Sequence, residues 1–83
     1  MASTQRNLAE ELTLTTNGFV FDHVSGLTYT LNATGSTILR KLMNGKSAGE
    51  IIKSMTDEFE ISDSIARKDL EEFIEQARTM GIV

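Results

Sequence analysis

Apolar and polar residues alternate from residue 12 onward, and the period changes after residue 31. Leu12, Thr13, Leu14 and Thr15 alternate, and Asn17-Gly18 follows, a strong short hairpin signal. Phe19 to His23 reads as a second strand. Leu27, Thr28, Tyr29, Thr30 and Leu31 read as a third, with a clean period of two. A two-residue Asn17-Gly18 loop would set Leu14 opposite Phe21 and Thr16 opposite Phe19, on one face with Leu12 and His23. A three-residue loop, Val24-Ser25-Gly26, then pairs Phe21 with Tyr29 and Phe19 with Leu31. That odd loop keeps one continuous apolar face, because a one-residue slip turns every side chain over. The expectation is therefore an odd second loop, with Gly26 in the left-handed position.

The second half follows helical spacing. Asn32 is a fitting N-cap for a helix through Ile38, Leu39, Leu42 and Met43 that stops at Asn44-Gly45. Ser47-Ala48-Gly49-Glu50 has the capping-box pattern and opens a second helix, whose stripe is Ala48, Ile51, Ile52, Met55 and Phe59. Ser62 caps a third helix ending near Gly81, with Ala66, Leu70, Phe73 and Ala77 on one line. Gly35 and Gly49 fall in first turns, where they are expected to ease close packing. The order β-β-β-α-α-α predicts an α+β domain: a three-stranded antiparallel meander, one face covered by helices, the last two forming a helix-turn-helix. Residues 8–83 are expected to make a single domain, and 1–7 a frayed, polar start.

Composition narrows the function more than the fold. The 83 residues include no cysteine, which excludes disulfides, thiolate-bound metal and a cysteine nucleophile. That absence fits a reducing, cytoplasmic setting. The start lacks a signal-peptide core, and no run approaches the ~20 apolar residues that cross a bilayer. His23 is the sole histidine and has no clustered partner; acidic pairs such as Glu71-Glu72 do not face each other on a helix. No phosphate loop is present, and no serine has an evident base. No catalytic residue, metal ligand or cofactor is expected. A helix-turn-helix raises DNA binding as the alternative, as a winged-helix regulator. Yet between Ser62 and Met80 three cations (Arg67, Lys68, Arg78) face five anions (Asp63, Asp69, Glu71, Glu72, Glu75), a local net of −2 on a chain of net −4. Phosphates would be repelled on balance. A small structural or toxin-antitoxin-like module is a third reading.

An unpaired strand edge remains. In a meander Leu27 to Leu31 is an edge strand. If His23 and Leu27 close the loop as a bonded pair, Phe21–Tyr29 is the next such pair, and Thr28 and Thr30 turn their N–H and C=O groups outward. Such an edge is a template for another strand unless a helix covers it; the strand from Leu12 is the other edge, and the sequence does not say which of the two is open. Beside the buried line of the third helix lies a flank of Arg67, Glu71, Ile74 and Arg78. Ile74 is either ordinary core periphery or the apolar floor of a groove beside the edge, where the arginines would be available to a peptide's carboxylates.

The run Asp22-His23-Val24-Ser25-Gly26-Leu27-Thr28-Tyr29-Thr30-Leu31-Asn32, followed by Gly35, Ile38 and Leu39, resembles the PqqD-like family. So do Gly45-Lys46-Ser47, Glu50-Ile51-Ile52, Phe59, Asp69-Leu70, Phe73-Ile74 and Gly81-Ile82-Val83. The resemblance spans Leu8 to Val83. It implies a winged helix-turn-helix with an N-terminal three-stranded sheet, acting as a non-catalytic peptide chaperone in the cytoplasm. Such a protein binds the leader of a ribosomally made precursor peptide as an added strand between the third strand and third helix. It then presents it to a modifying enzyme, often a radical S-adenosylmethionine enzyme. Carried onto this chain, the implied site is Leu27, Thr28, Tyr29, Thr30 and Leu31 with Arg67, Leu70, Glu71, Ile74 and Arg78. Members dedicated to pyrroloquinoline quinone usually carry a tyrosine-proline turn where this chain has Asp22 to Gly26, so the precursor here is open. No nucleic acid or membrane partner is expected, and the protein would be a monomer or a strand-exchanged dimer.

Overall fold

A computed structural model of the chain describes residues 7–82. The frayed start expected over 1–7 lies outside the described residues, apart from Asn7. Asn7 caps a short helix that the hydrophobic pattern did not reveal, α1 (Leu8–Glu11), its side chain accepting from the Glu10 N–H. Four residues carry too little periodicity to signal a helix. Then come β1 (Leu12–Leu14), β2 (Phe19–Asp22) and β3 (Thr28–Thr30), and α2 (Ala33–Met43), α3 (Ala48–Phe59) and α4 (Asp63–Thr79). The sheet is an antiparallel meander of order β1-β2-β3. The α+β class and the element order from β1 onward match the expectation, with α1 as an addition before them.

The strand register does not. Leu14 pairs with Val20, not Phe21, and Val20 pairs in turn with Tyr29. The cause is the first loop. The Gly18 N–H donates to Thr15 O at 3.2 Å and the Thr15 N–H to Phe19 O at 2.9 Å, so Thr16, Asn17 and Gly18 form a three-residue loop. Gly18 takes the left-handed position (φ 86°) that such a loop needs, rather than serving in a two-residue turn. The second loop compensates with the opposite parity. The Asp22 N–H donates to Leu27 O at 2.9 Å, leaving four residues, His23 to Gly26, in an even turn. The Asp22 carboxylate accepts from the Val24 and Ser25 N–H groups, and Gly26 is left-handed as expected. An aspartate that gathers the amides of its own turn was the signal for this loop length.

The parity change turns β2 over. Val20 is fully buried and Asp22 nearly so, whereas Phe19 and Phe21 are 43% and 45% exposed on the outer face. His23 is outside as well, its Nε2 2.6 Å from Thr13 Oγ1. The core joins Leu12 and Val20 to Ile38 and Leu39 of α2, Ile51, Ile52 and Met55 of α3, and Ala66, Leu70, Phe73 and Ala77 of α4.

The helix boundaries follow their caps. The Asn32 side chain accepts from Gly35 N–H at 2.7 Å; Ser47 and Glu50 form the reciprocal capping box; Ser62 accepts from Ile65 N–H. At Gly35 an added Cβ would lie 3.5 Å from both Leu31 Cβ and Phe73 Cε1, so there the close-packing expectation is met. At Gly49 nothing lies within 4 Å, and neighbouring Ala48 is exposed, so the start of the α3 stripe faces solvent. The α3–α4 turn passes through Glu60, which adopts φ 54° without being glycine. Thr37 Oγ1 donates to Glu58 Oε2 at 3.2 Å and ties α2 to α3.

Candidate functional site

β3 is an edge strand, and the observed bonds fix which of its groups face out. Asp22 N–H donates to Leu27 O, and Leu31 N–H donates to Gly18 O at 2.8 Å. Antiparallel pairs alternate between bonded and non-bonded, so Leu27, Tyr29 and Leu31 bond toward β2. Thr28 and Thr30 fall between them and turn their N–H and C=O groups to the open side. The register of β2 moved by one residue, but the phase of β3 did not, because both readings make Tyr29 a bonded residue. At the opposite edge, α1 runs directly into β1, and the Leu12 N–H returns to Leu8 O.

Side chains of β3 divide by face. Tyr29 and Leu31 are half-buried and packed against the core, while Thr28 and Thr30 are exposed on the outer face. The Tyr29 hydroxyl donates to the Met80 carbonyl at 3.2 Å, fastening β3 to the end of α4. That end is itself well held. Gly81 is left-handed (φ 78°), and the Ile82 N–H reaches back to Ala77 O at 2.8 Å, seating Ile82 in the core.

Along α4, Leu70, Glu71, Ile74, Glu75 and Arg78 line an open groove of about 500 Å³. Four of the helix residues expected at the site therefore share one surface, with Leu70 and Ile74 as its apolar floor. Arg67 is not among them. It sits a turn earlier, paired with Asp63 at 2.7 Å in an exposed (i, i+4) bridge, an arrangement worth only ~0.3–0.5 kcal/mol and easily exchanged for another anion. The β3 residues do not line this groove; β3 and α4 are linked instead at Tyr29 and Met80.

A second cavity was missed from the sequence. Asn32, Thr34, Gly35 and Ile38 at the start of α2 face Asp69, Glu72, Phe73 and Gln76 of α4 across about 190 Å³. It begins where β3 leads into α2. Its signal was Gly35, whose missing side chain lets Leu31 and Phe73 approach the helix start.

A three-stranded antiparallel sheet with β3 at one edge, followed by three helices, is an α+β fold of the winged helix-turn-helix class. The family model described as coenzyme PQQ synthesis protein D (PqqD) matches residues 18–83, and the chain belongs to this family. Among solved structures, it is similar to lasso peptide synthetase B1 complexed with the leader peptide. The two share 25% identity and a TM-score of 0.72 over 87% of this chain and 88% of that one. No curated protein matches it.

Chemically the site offers backbone donors and acceptors, an apolar floor and mixed charge. Among the described residues no group of three or more His, Cys, Asp or Glu is placed to hold a metal ion, and no helix is long and apolar enough to cross a membrane.

Proposed function

We propose that this protein is a non-catalytic carrier that binds the leader of a ribosomally made precursor peptide as a fourth strand along β3 and presents it to a modifying enzyme. The observation that carries this reading is the outward backbone of Thr28 and Thr30 on an edge with no partner strand among the described residues. Strand addition uses such groups for affinity and neighbouring grooves for side-chain selection. Leu70 and Ile74 supply apolar contact on α4, and Arg78 is available to a peptide carboxylate. Family membership supports the reading, as does likeness to a synthetase subunit complexed with a leader peptide. The enzyme served would be of the radical S-adenosylmethionine class by the family resemblance. The carrier acts as a monomer when loaded, since a second copy exchanging strands would compete for the same edge. DNA binding is opposed by the acidic surface of α4.

The test is to titrate synthetic leader peptides, taken from any short precursor reading frame found beside the gene, into isotopically labelled protein. Amide shifts are expected at Thr28–Thr30 and between Leu70 and Arg78. Thr28→Pro removes an outward N–H while leaving the ladder to β2 intact, so leader affinity should fall about tenfold or more with the fold retained. Full affinity in that variant would overturn the edge assignment.

A further inference from the structure

Among the described residues, no element packs on the outer face of the sheet. By register Phe19 and Phe21 lie there, flanked by Thr13, Thr28 and Thr30, and Val24 follows at the hairpin tip, 70% exposed. None of these side chains is charged, in a chain whose residues are 24% charged. Scattered exposed apolar residues need no explanation, but two phenylalanines side by side on an open sheet face form a patch.

Size and charge together say what covers it. A phenylalanine offers on the order of 200 Å² when bare. The two half-exposed rings with Val24 therefore present roughly 300 Å², well under half of the ~800 Å² per partner that a stable interface takes. A second copy laid face to face would gain too little for a lasting dimer. The area suits a contact that forms and releases. Its position is also informative. Thr28 and Thr30 turn their backbones to the open edge and their side chains to this face, opposite Phe21 and Phe19. A peptide strand added to β3 would set every second side chain beside those threonines and widen the same face.

We infer that the outer face docks the enzyme that modifies the bound peptide, and that the peptide strand completes the docking surface. This rests on the carrier function proposed above. The matching enzyme surface is apolar at its centre, where the two phenylalanines lie, with the ionisable His23 set beside Thr13 on the same face. Docking is then coupled to loading: the loaded carrier binds the enzyme more tightly than the empty one, and the enzyme tightens the peptide by the same factor.

The experiment titrates the enzyme that modifies the leader-bearing precursor into wild type and a Phe19→Ser/Phe21→Ser variant, each with and without leader peptide. The variant should keep its circular dichroism and bind leader within about twofold of wild type, while enzyme affinity falls about tenfold or more. Loaded wild type should bind the enzyme several-fold more tightly than empty wild type, and raising salt from roughly 50 to 300 mM should change that affinity little. Unchanged enzyme affinity in the variant, with leader binding intact, overturns this inference alone. Loss of leader affinity by a folded variant would assign the face to the peptide site instead. A concentration-dependent dimer of wild type, abolished in the variant while enzyme binding persists, would make it a self-association surface. No leader binding by wild type would sink the carrier function and the inference with it.

Discussion

The inner face of the sheet buries Leu12 and Val20, while the outer face leaves the larger Phe19 and Phe21 nearly half exposed. Both faces use the same three strands and the same pleat, and each by itself is apolar enough to have been the core. What separates them is the geometry of two loops. Gly18 makes the first loop three residues long and Asp22 makes the second four, and each choice rotates β2 by one side-chain position. Hydrophobic size ranks candidates for burial, but in strands of three or four residues the turn chemistry decides which candidates go in.

The sharpest way to break this comparison is to shorten one side chain on each face. Leu12→Ala should cost about 3 kcal/mol in urea unfolding, as a core leucine, whereas Phe21→Ala should cost less than about 1 kcal/mol despite removing more atoms. Equal losses would mean that the outer face is packed. Next in size is Gly18→Ala, which acts on the loop that sets the parity. Its new Cβ would sit 2.5 Å from the Leu31 carbonyl oxygen at a positive φ, so a destabilisation of about 2 kcal/mol is expected by thermal melting. A loss as small as an ordinary surface substitution would show that the loop can relax without turning the strand.

The smallest effect lies in the helical half, where a purely local device holds the start of α3. The Ser47 backbone N–H, with its hydroxyl and the nearby Lys46, holds the Glu50 carboxyl below its usual pKa. A carboxyl lowered on folding stabilises the native state above its unfolded pKa, and that contribution is lost as pH falls through the lowered value. A melting-temperature profile against pH should therefore drop less on the acid side for Glu50→Gln than for wild type. Identical profiles would show that the box is too exposed to matter.

These particulars also explain what could be read in the chain and what could not. Asn32, Ser47 and Ser62 each announce a helix within four residues, so caps and stripes agreed and the boundaries held. Glu60 escaped notice because a left-handed non-glycine has no compositional mark. The strands were recognised as strands, but their facing required knowing that Asp22 would collect two amides of its own turn. The outward groups of Thr28 and Thr30 were nevertheless found, since they depend on the phase of β3 alone. On the helix, spacing grouped Arg67, Glu71, Ile74 and Arg78, of which the last three share a groove and Arg67 lies outside it; it could not reveal the cavity at Gly35, where the start of α2 meets α4.

The Tyr29 hydroxyl bond to Met80 joins residues 51 positions apart in the chain. Closing a loop of that length costs more chain entropy than closing either hairpin, so the contact is expected to be among the first to open. Deuterium exchange should find the end of α4 giving up its amides before the helix middle does, and a leader seated along β3 should slow that loss by pinning the strand on which Tyr29 lies.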